Sequence, residues 1–315
     1  FKYKIILNMQ TLILHMHGLG DMVMFAPTFN KLPNKNKTID IIVFENNAIK
    51  PLKTSKKINK IYYCDSSYLK LIVNLFKILL IKYELIIFSN NSSPFKSFFI
   101  SMILDGRKKI FLSEKNIFIK FRNIHVINVK RNLHKIYRNL LLINFKKKTK
   151  LNKNLYFKKV KSPLTVDKKK INVGIHPGSN LKNGDKRWDV DKFIQIINFL
   201  ILKNCNIFIF IGKYEYELLN KMKFNSENVK IIFNKDLDYV ADVIKKMNLI
   251  LSNETGIAHI SSFLNVKTFV IINKLYDFDK TKISIPLYNT IFQKKTIDDK
   301  DISKIKKYLV TILNL

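Results

Sequence analysis

Short apolar runs alternate along this chain with stretches in which apolar residues recur every three or four positions. That rhythm predicts strands and helices in succession, and hence parallel α/β sheets. In the first half, "TLILHMH" (11–17) reads as a buried strand, and "GLGD" turns it into a helix starting near Met22. Strands are expected at 39–44 ("IDIIVF"), 59–64 ("NKIYYC"), 84–89 ("ELIIFS") and 108–112 ("KKIFL"), with helices around 67–81 and 131–146. Residues 146–170, "KKKTKLNKNLYFKKVKSPLTVDKKK", carry dense charge, no clear period and Pro163. They mark a boundary between a domain at 1–160 and a domain at 161–315, the alternative being a long surface loop within one domain.

Beyond it the βα succession is more regular. Strands are expected at 171–176, 205–212, 229–233, 248–253 and 267–272, and helices at 190–201, 214–222, 237–247 and 255–265. "DDKDISKIKKYLVTIL" closes the chain as a helix.

Composition changes this picture in one respect. The 315 residues are 47% hydrophobic, enough to bury real cores, so the chain is not a disordered basic tail. A formal charge of +34 points to a polyanionic partner such as nucleic acid, an anionic membrane face or a phosphorylated glycolipid. Yet 52 of the 57 basic residues are lysine and only five are arginine. Together with abundant Asn and Ile, this is what an AT-rich coding sequence produces. Scarce arginine argues against specific reading of nucleic acid. Cys64 and Cys205 stand far apart without metal-like spacing, as expected of a reduced cytosolic protein. No cleavable leader is read at the N-terminus. No uncharged run is long enough to span a bilayer, and "YLKLIVNLFKILLIKYELIIF" is broken by Lys70, Lys77, Lys82 and Glu84.

Ligands of open parallel sheets sit at the carboxyl ends of strands, and three loops qualify. In "HPGSNLKNGDKRW", Gly178 lets an anion approach the backbone, Ser179 offers a hydroxyl and Lys186 a positive charge; Trp188 can anchor the loop. An ordinary βα turn is the other reading. In "SNETGIAHISS", Thr255 and Gly256 open a helix whose free N–H groups favour phosphate, with Glu254 and His259 close by. Here the other reading is a capped helix with a buried histidine. In "HGLGDMVMFAP", Gly18 and Gly20 permit close approach, and Asp21 is either a helix N-cap or a carboxylate able to take a proton. "GLGD" lacks the third glycine of a dinucleotide fingerprint. "DVD" (189–191) and "DLD" (236–238) each precede a helix, so N-capping explains them better than metal binding. The histidines show no metal spacing, and there is no phosphate-binding P-loop.

Taken together, "HGLGDMVMFAPTFNKL", "IHPGSNLKNGDKRWDVDKFIQII" and "ADVIKKMNLILSNETGIAHISSFLNVKTFVII" make the chain resemble glycosyltransferase family 9, the ADP-heptose:lipopolysaccharide heptosyltransferases. The resemblance implies a GT-B fold: two Rossmann-like domains facing a cleft, the N-terminal one binding acceptor and the C-terminal one binding nucleotide sugar. It allows the last helix to return to the first domain. Reaction would be inverting and metal-independent, with ADP-heptose as donor and no cofactor. Asp21 matches the general base, Lys186 the donor-phosphate lysine, and Ser179 a pyrophosphate contact. Thr255 and Gly256 match the phosphate turn, and His259 the histidine of that motif. Glu217 or Glu215 is matched loosely to the ribose. Glu254 stands where the family usually has Asp, which bears on the sugar transferred. The implied acceptor is a phosphorylated glycolipid, lipid A-core, met at the cytoplasmic face of the inner membrane. Alternatives are a nonspecific nucleic-acid-binding protein, a related transferase using another nucleotide sugar, and a degenerate transferase without turnover.

Overall fold

The computed structural model describes residues 10–32, 38–89, 93–115, 121, 123–144, 151–179, 187–273, 290–294 and 299–315. The chain divides into two compact units, Phe1–Phe157 and Lys158–Leu315.

The first unit holds β1 (Thr11–His15), β2 (Ile39–Val43), β3 (Ile58–Tyr63), β4 (Tyr83–Phe88), β5 (Gly106–Ser113) and β6 (Ile124–Asn128). They pair in parallel in the order β3-β2-β1-β4-β5-β6. Its helices are α1 (Leu19–Lys31), α2 (Tyr68–Ile78), α3 (Pro94–Ile103) and α4 (Lys135–Leu141), with a 3-10 segment at Asn46–Leu52. The second unit holds β7 (Asn172–His176), β8 (Asn206–Ile211), β9 (Val229–Phe233), β10 (Leu249–Asn253), β11 (Lys267–Asn273) and β12 (Thr290–Lys294). These too are parallel, ordered β12-β11-β10-β7-β8-β9. Its helices are α5 (Val190–Leu202), α6 (Glu217–Lys221), α7 (Leu237–Ile244), α8 (Gly256–Phe263) and α9 (Asp299–Leu313). Counted from the first strand of each unit, the two orders are the same Rossmann order, 3-2-1-4-5-6. Each sheet therefore reverses direction once, between β1 and β4 and between β7 and β10.

The central strands are buried on both faces, which is why they read as continuous apolar runs: every residue of β1, β2, β7 and β10 is buried. Asp40 breaks the run in β2 and stays soluble in the core through three donors. Gln10 Nε2 (2.7 Å), Asn59 Nδ2 (2.9 Å) and the Tyr83 hydroxyl (3.0 Å) all reach its carboxylate. Burial first, and the Asp40 charge second, raise the Tyr83 hydroxyl well above the usual phenol range.

Where sequence and structure differ, local chemistry explains most cases. The helix expected at 214–222 is a 3-10 turn (Lys213–Glu215) followed by α6. Glu215 Oε2 accepts from the Gly212 N–H at 2.9 Å and tightens that first turn. The helix expected at 131–146 shortens to α4. Neither α3, β6, β12 nor the 3-10 segment was expected. "PFKSFFISMI" is apolar nearly all round and shows little period, while β6 is a short edge strand. Asp189 and Asp236 do cap α5 and α7, accepting from the N–H groups of Asp191 (3.1 Å) and Asp238 (2.9 Å).

The last helix, for which a return to the first domain was allowed, belongs to the second unit. Ile302, Ile305, Leu309 and Leu313 join Phe193, Ile196, Ile197 and Leu200 of α5 and Trp188 in one core. Trp188 is the single tryptophan of the chain and lies 5.0 Å from Phe193, ring to ring, so its fluorescence reports this core. Ile305→Ala removes a fully buried side chain and is expected to cost about 2–5 kcal/mol. The check is a lower denaturant midpoint followed by tryptophan fluorescence; an unchanged midpoint would place α9 outside this core.

Candidate active site

Each sheet gathers polar residues at its switch point. In the first unit, β1 ends at His15 beside the end of β4, where Ser89 follows Phe88. His15 Nδ1 lies 2.6 Å from Ser89 Oγ, and Nε2 lies 3.3 Å from the Gly18 carbonyl. Burial, then the neighbouring His17, lowers the His15 pKa to about 4, so the ring is neutral near pH 7. A neutral ring has one N–H. The Ser89 hydroxyl, which also reaches the Leu14 carbonyl at 3.2 Å, and the single ring N–H are the protons that serve these contacts. This fixes the turn from which α1 starts.

Asp21 is not the N-cap of α1. That position is Gly18, and it makes no side-chain capping bond. Asp21 sits inside the first turn, and its Oδ1 accepts from Lys135 Nζ at 2.9 Å. Lys135 opens α4, which packs along α1; the preceding His134 caps that helix by accepting from the Ile136 N–H. Burial pushes the Asp21 carboxyl upward, but Lys135, His17 and His15 together outweigh it, and the net pKa falls below the ordinary carboxylate value. Asp21 is therefore an anion at neutral pH. His17 is lowered by burial and by Lys135, against the opposing charges of Asp21 and Glu45. Its Nε2 is buried with no hydrogen-bond partner among the described residues.

In the second unit, β7 ends at His176, and Pro177, Gly178 and Ser179 follow. Three successive carbonyls of this turn are held by side-chain donors. Buried Asn253, the last residue of β10, gives its Nδ2 to Pro177 (2.7 Å) and Gly178 (3.3 Å). Arg187 Nη2 donates to Ser179 at 2.9 Å. Asn253 Oδ1 in turn accepts from the Trp188 N–H at 3.1 Å, so one amide clamps both ends of the loop. These bonds fix the shape of the turn. The Ser179 hydroxyl is buried with no partner among the described residues. Lys186 lies outside the described residues.

Gly178 is required here by close approach: a Cβ built on it would lie 1.9 Å from Glu215 Oε1. Glu215 is buried, bonded to the Gly212 N–H, and 3.9 Å from His176 Nε2, whose Nδ1 donates to Phe210 at 2.9 Å. Glu217 is partly exposed and accepts from Arg187 Nη1 at 2.8 Å. Of the two glutamates matched to a ribose, one is thus packed inward and the other paired to the clamp arginine.

Thr255 precedes α8 in extended conformation and makes no side-chain cap, so the first turn of the helix keeps its N–H groups without one. Its hydroxyl instead faces Ser252 Oγ at 3.1 Å, and Ser252 donates to the Asn253 carbonyl at 2.7 Å. Gly256 begins the helix. His259 is buried one turn on, with Nε2 3.6 Å from Glu254 Oε1 and Nδ1 without a partner among the described residues. The structure thus brings Gly178, Ser179, Asn253, Glu254, Thr255, Gly256 and His259 to adjoining strand ends, β7 and β10 being paired neighbours. Sequence reasoning missed Lys135, Asn253, Arg187 and the His15–Ser89 pair. "SNE" and "KRW" flanked the chosen motifs, but nothing local shows which polar residue spans a switch point. Among the described residues, no group of three or more His, Cys, Asp or Glu is placed to hold a metal ion.

Comparison with known proteins agrees with this topology. The family model described as glycosyltransferase family 9 (heptosyltransferase) matches residues 72–271. No curated protein matches the chain in sequence. Among solved structures, E. coli heptosyltransferase WaaC with ADP is similar at 14% identity, TM-score 0.71, over 96% of this chain and 100% of that one. A family 9 glycosyl transferase from Veillonella parvula DSM 2008 aligns at 15% identity, TM-score 0.75, over 98% of both chains. E. coli ADP-heptose lps heptosyltransferase II aligns at 15%, TM-score 0.69, over 97% and 99%. At such identities the likeness establishes the fold, two parallel-sheet α/β domains of the GT-B class.

The clamp yields a prediction. Asn253→Asp keeps the shape but replaces the donor by an oxygen facing two carbonyls. The expected loss is about 2–4 kcal/mol of stability in the second unit. Denaturation followed at Trp188, whose backbone N–H is bonded to Asn253, measures it; a wild-type midpoint would show the bridge to be dispensable.

Proposed function

The chain belongs to glycosyltransferase family 9, the heptosyltransferase family, and from that premise we propose that it transfers heptose from ADP-heptose to a hydroxyl of a lipopolysaccharide-core glycolipid. The observation that carries this reading is the turn at 177–179. Its three carbonyls are all engaged, its buried serine hydroxyl has no partner among the described residues, and it adjoins a helix start without a side-chain cap. Such a surface suits a diphosphate.

In this reading Gly178, Ser179, Thr255 and Gly256 hold the diphosphate, and Lys186 adds positive charge as the anomeric bond breaks. Asp21 takes the proton of the attacking hydroxyl. It is already ionised, and Lys135 is the group that keeps it so. A single displacement inverts the anomeric configuration. Because fixed protein groups take up the leaving charge, transfer is expected to proceed in the presence of a metal chelator. Glu254 and His259 are assigned to the sugar side of the donor. The longer carboxylate at 254 makes the sugar itself the open variable, so a related nucleotide sugar is the competing donor. The WaaC structure contains ADP, which makes ADP the first nucleotide to test. The reaction would take place in the cytoplasm.

Two measurements test this. Asp21→Asn is expected to lower turnover by roughly 10²–10⁴-fold while ADP binding stays near wild type. Lys135→Met removes the cation that offsets burial, so the carboxyl pKa rises. The acid limb of the pH–rate profile, which the wild-type charge places below the ordinary carboxylate range, then moves to higher pH. Full turnover by Asp21→Asn would refute the base, and an unmoved acid limb in Lys135→Met would refute the role of the pair.

A further inference from the structure

Helices α2 and α3 both pack onto one core of the first unit. Leu71, Leu75 and Ile78 of α2 enter the same core against which Phe98 and Ile100 of α3 pack. At their N-terminal ends Lys96 joins them, with Nζ 3.1 Å from the Tyr68 hydroxyl and 4.9 Å from the centre of its ring. The outward surfaces of both helices are apolar. Leu69 (71%), Phe76 (70%), Phe95 (67%) and Phe99 (64%) are largely exposed, as are Ile72, Val73, Leu80, Met102 and Ile103. Single exposed apolar residues are ordinary, but an exposed apolar stripe on each of two helices that meet at Lys96 and Tyr68 is not.

The charges around this face narrow the choice of partner. The sequences of α2 and α3 contain three lysines, Lys70, Lys77 and Lys96, and no acidic residue. The bordering carboxylates Asp65 and Glu84 are paired with Lys70 and Arg107, and Asp105 stands two residues past the end of α3. A second copy is a poor occupant. In a two-fold interface the same patch meets itself, so these lysines would face lysines on a chain of net charge +34. An anionic bilayer satisfies both features at once: exposed Phe and Leu enter the acyl boundary while lysines stay among headgroups.

We infer that the α2–α3 face of the first unit is a bilayer-docking surface for an anionic lipid leaflet, held by inserted apolar side chains and not by lysines alone. The inference does not depend on the transfer reaction, and its test involves no turnover. The full chain is sedimented with vesicles of phosphatidylcholine alone and with vesicles that also contain phosphatidylglycerol. It is expected to pellet with the second. Phe76→Asn combined with Phe99→Asn changes only exposed side chains, so folding, checked at Trp188, should be retained. Vesicle affinity should fall by about tenfold or more and should not recover at low salt. Lys70→Gln with Lys77→Gln and Lys96→Gln should weaken binding chiefly at low salt, and little at high salt where the lysine contribution is already screened. Wild-type protein left in the supernatant with both vesicle types would overturn the inference, as would undiminished binding by the double phenylalanine variant. So would light scattering that shows a dimer dispersed by that variant, because a second copy would then cover the face.

Discussion

Reversal of strand order is the constraint from which both candidate sites follow. Where a sheet adds its next strand on the other side of the first, two neighbouring strands send their chains to opposite faces. The loops part there, and their peptide groups lose the sheet partners available elsewhere along the strands. Side chains must supply what the ladder cannot. In the second unit Asn253 does so across the β7–β10 gap, engaging two carbonyls and one N–H with one amide. In the first unit Ser89 and His15 span the β1–β4 gap and tie down the Gly18 turn. A satisfied loop at such a point is fixed in shape yet open to a ligand, a combination that an ordinary βα connection need not have.

The two units use their carboxylates, half-buried Asp21 and buried Glu215, in opposite ways. Asp21 is kept charged: burial opposes ionisation, and the cation at Lys135 together with nearby histidines prevails. The pair is formed between the first turns of two packed helices, which bring the two side chains within reach of each other. Glu215 is used as a structural acceptor instead. It closes the 3-10 turn at Gly212 and fills the space that a side chain at 178 would occupy. A carboxylate so committed has little freedom to meet a ligand, whereas one held by a single lysine can exchange that partner's company for a substrate hydroxyl.

Strands and the three loops were legible because their signals are local. Continuous apolar runs announce strands buried on both faces, and glycine after such a run announces a turn at a strand end. What was not legible depends on topology. Lys135 lies 114 positions from Asp21 in sequence, and Asn253 reaches a carbonyl 76 positions away. No period or motif links such residues until strand order is known. Asp21 shows the limit most clearly: from sequence alone it fits an N-cap as well as a base, and the backbone, with Gly18 at the N-cap, removes the first reading. Helix α3 was missed for the opposite reason. Its outward side is as apolar as its inward side, so the periodic contrast that betrays an amphipathic helix is weak.

Composition bias, which first looked like noise, sharpens the meaning of the glycines. The chain has only eight. Left-handed backbone positions past helix ends, where glycine is the usual choice, are taken by Asn144, Asn204, Asn265 and Asn314. No described glycine has a positive φ. Glycine is therefore not spent on turns that asparagine can make. At Gly106, Gly174 and Gly178 it stands where a Cβ would approach another side chain within 3 Å. The first two allow tight packing in a sheet, against Ile86 and Ile250. Gly178 alone of these three lies in a strand-end loop, beside an unpartnered serine hydroxyl and under a side-chain clamp. In a sequence this poor in glycine, Gly178 is the residue that leaves room for the Glu215 carboxylate against the turn.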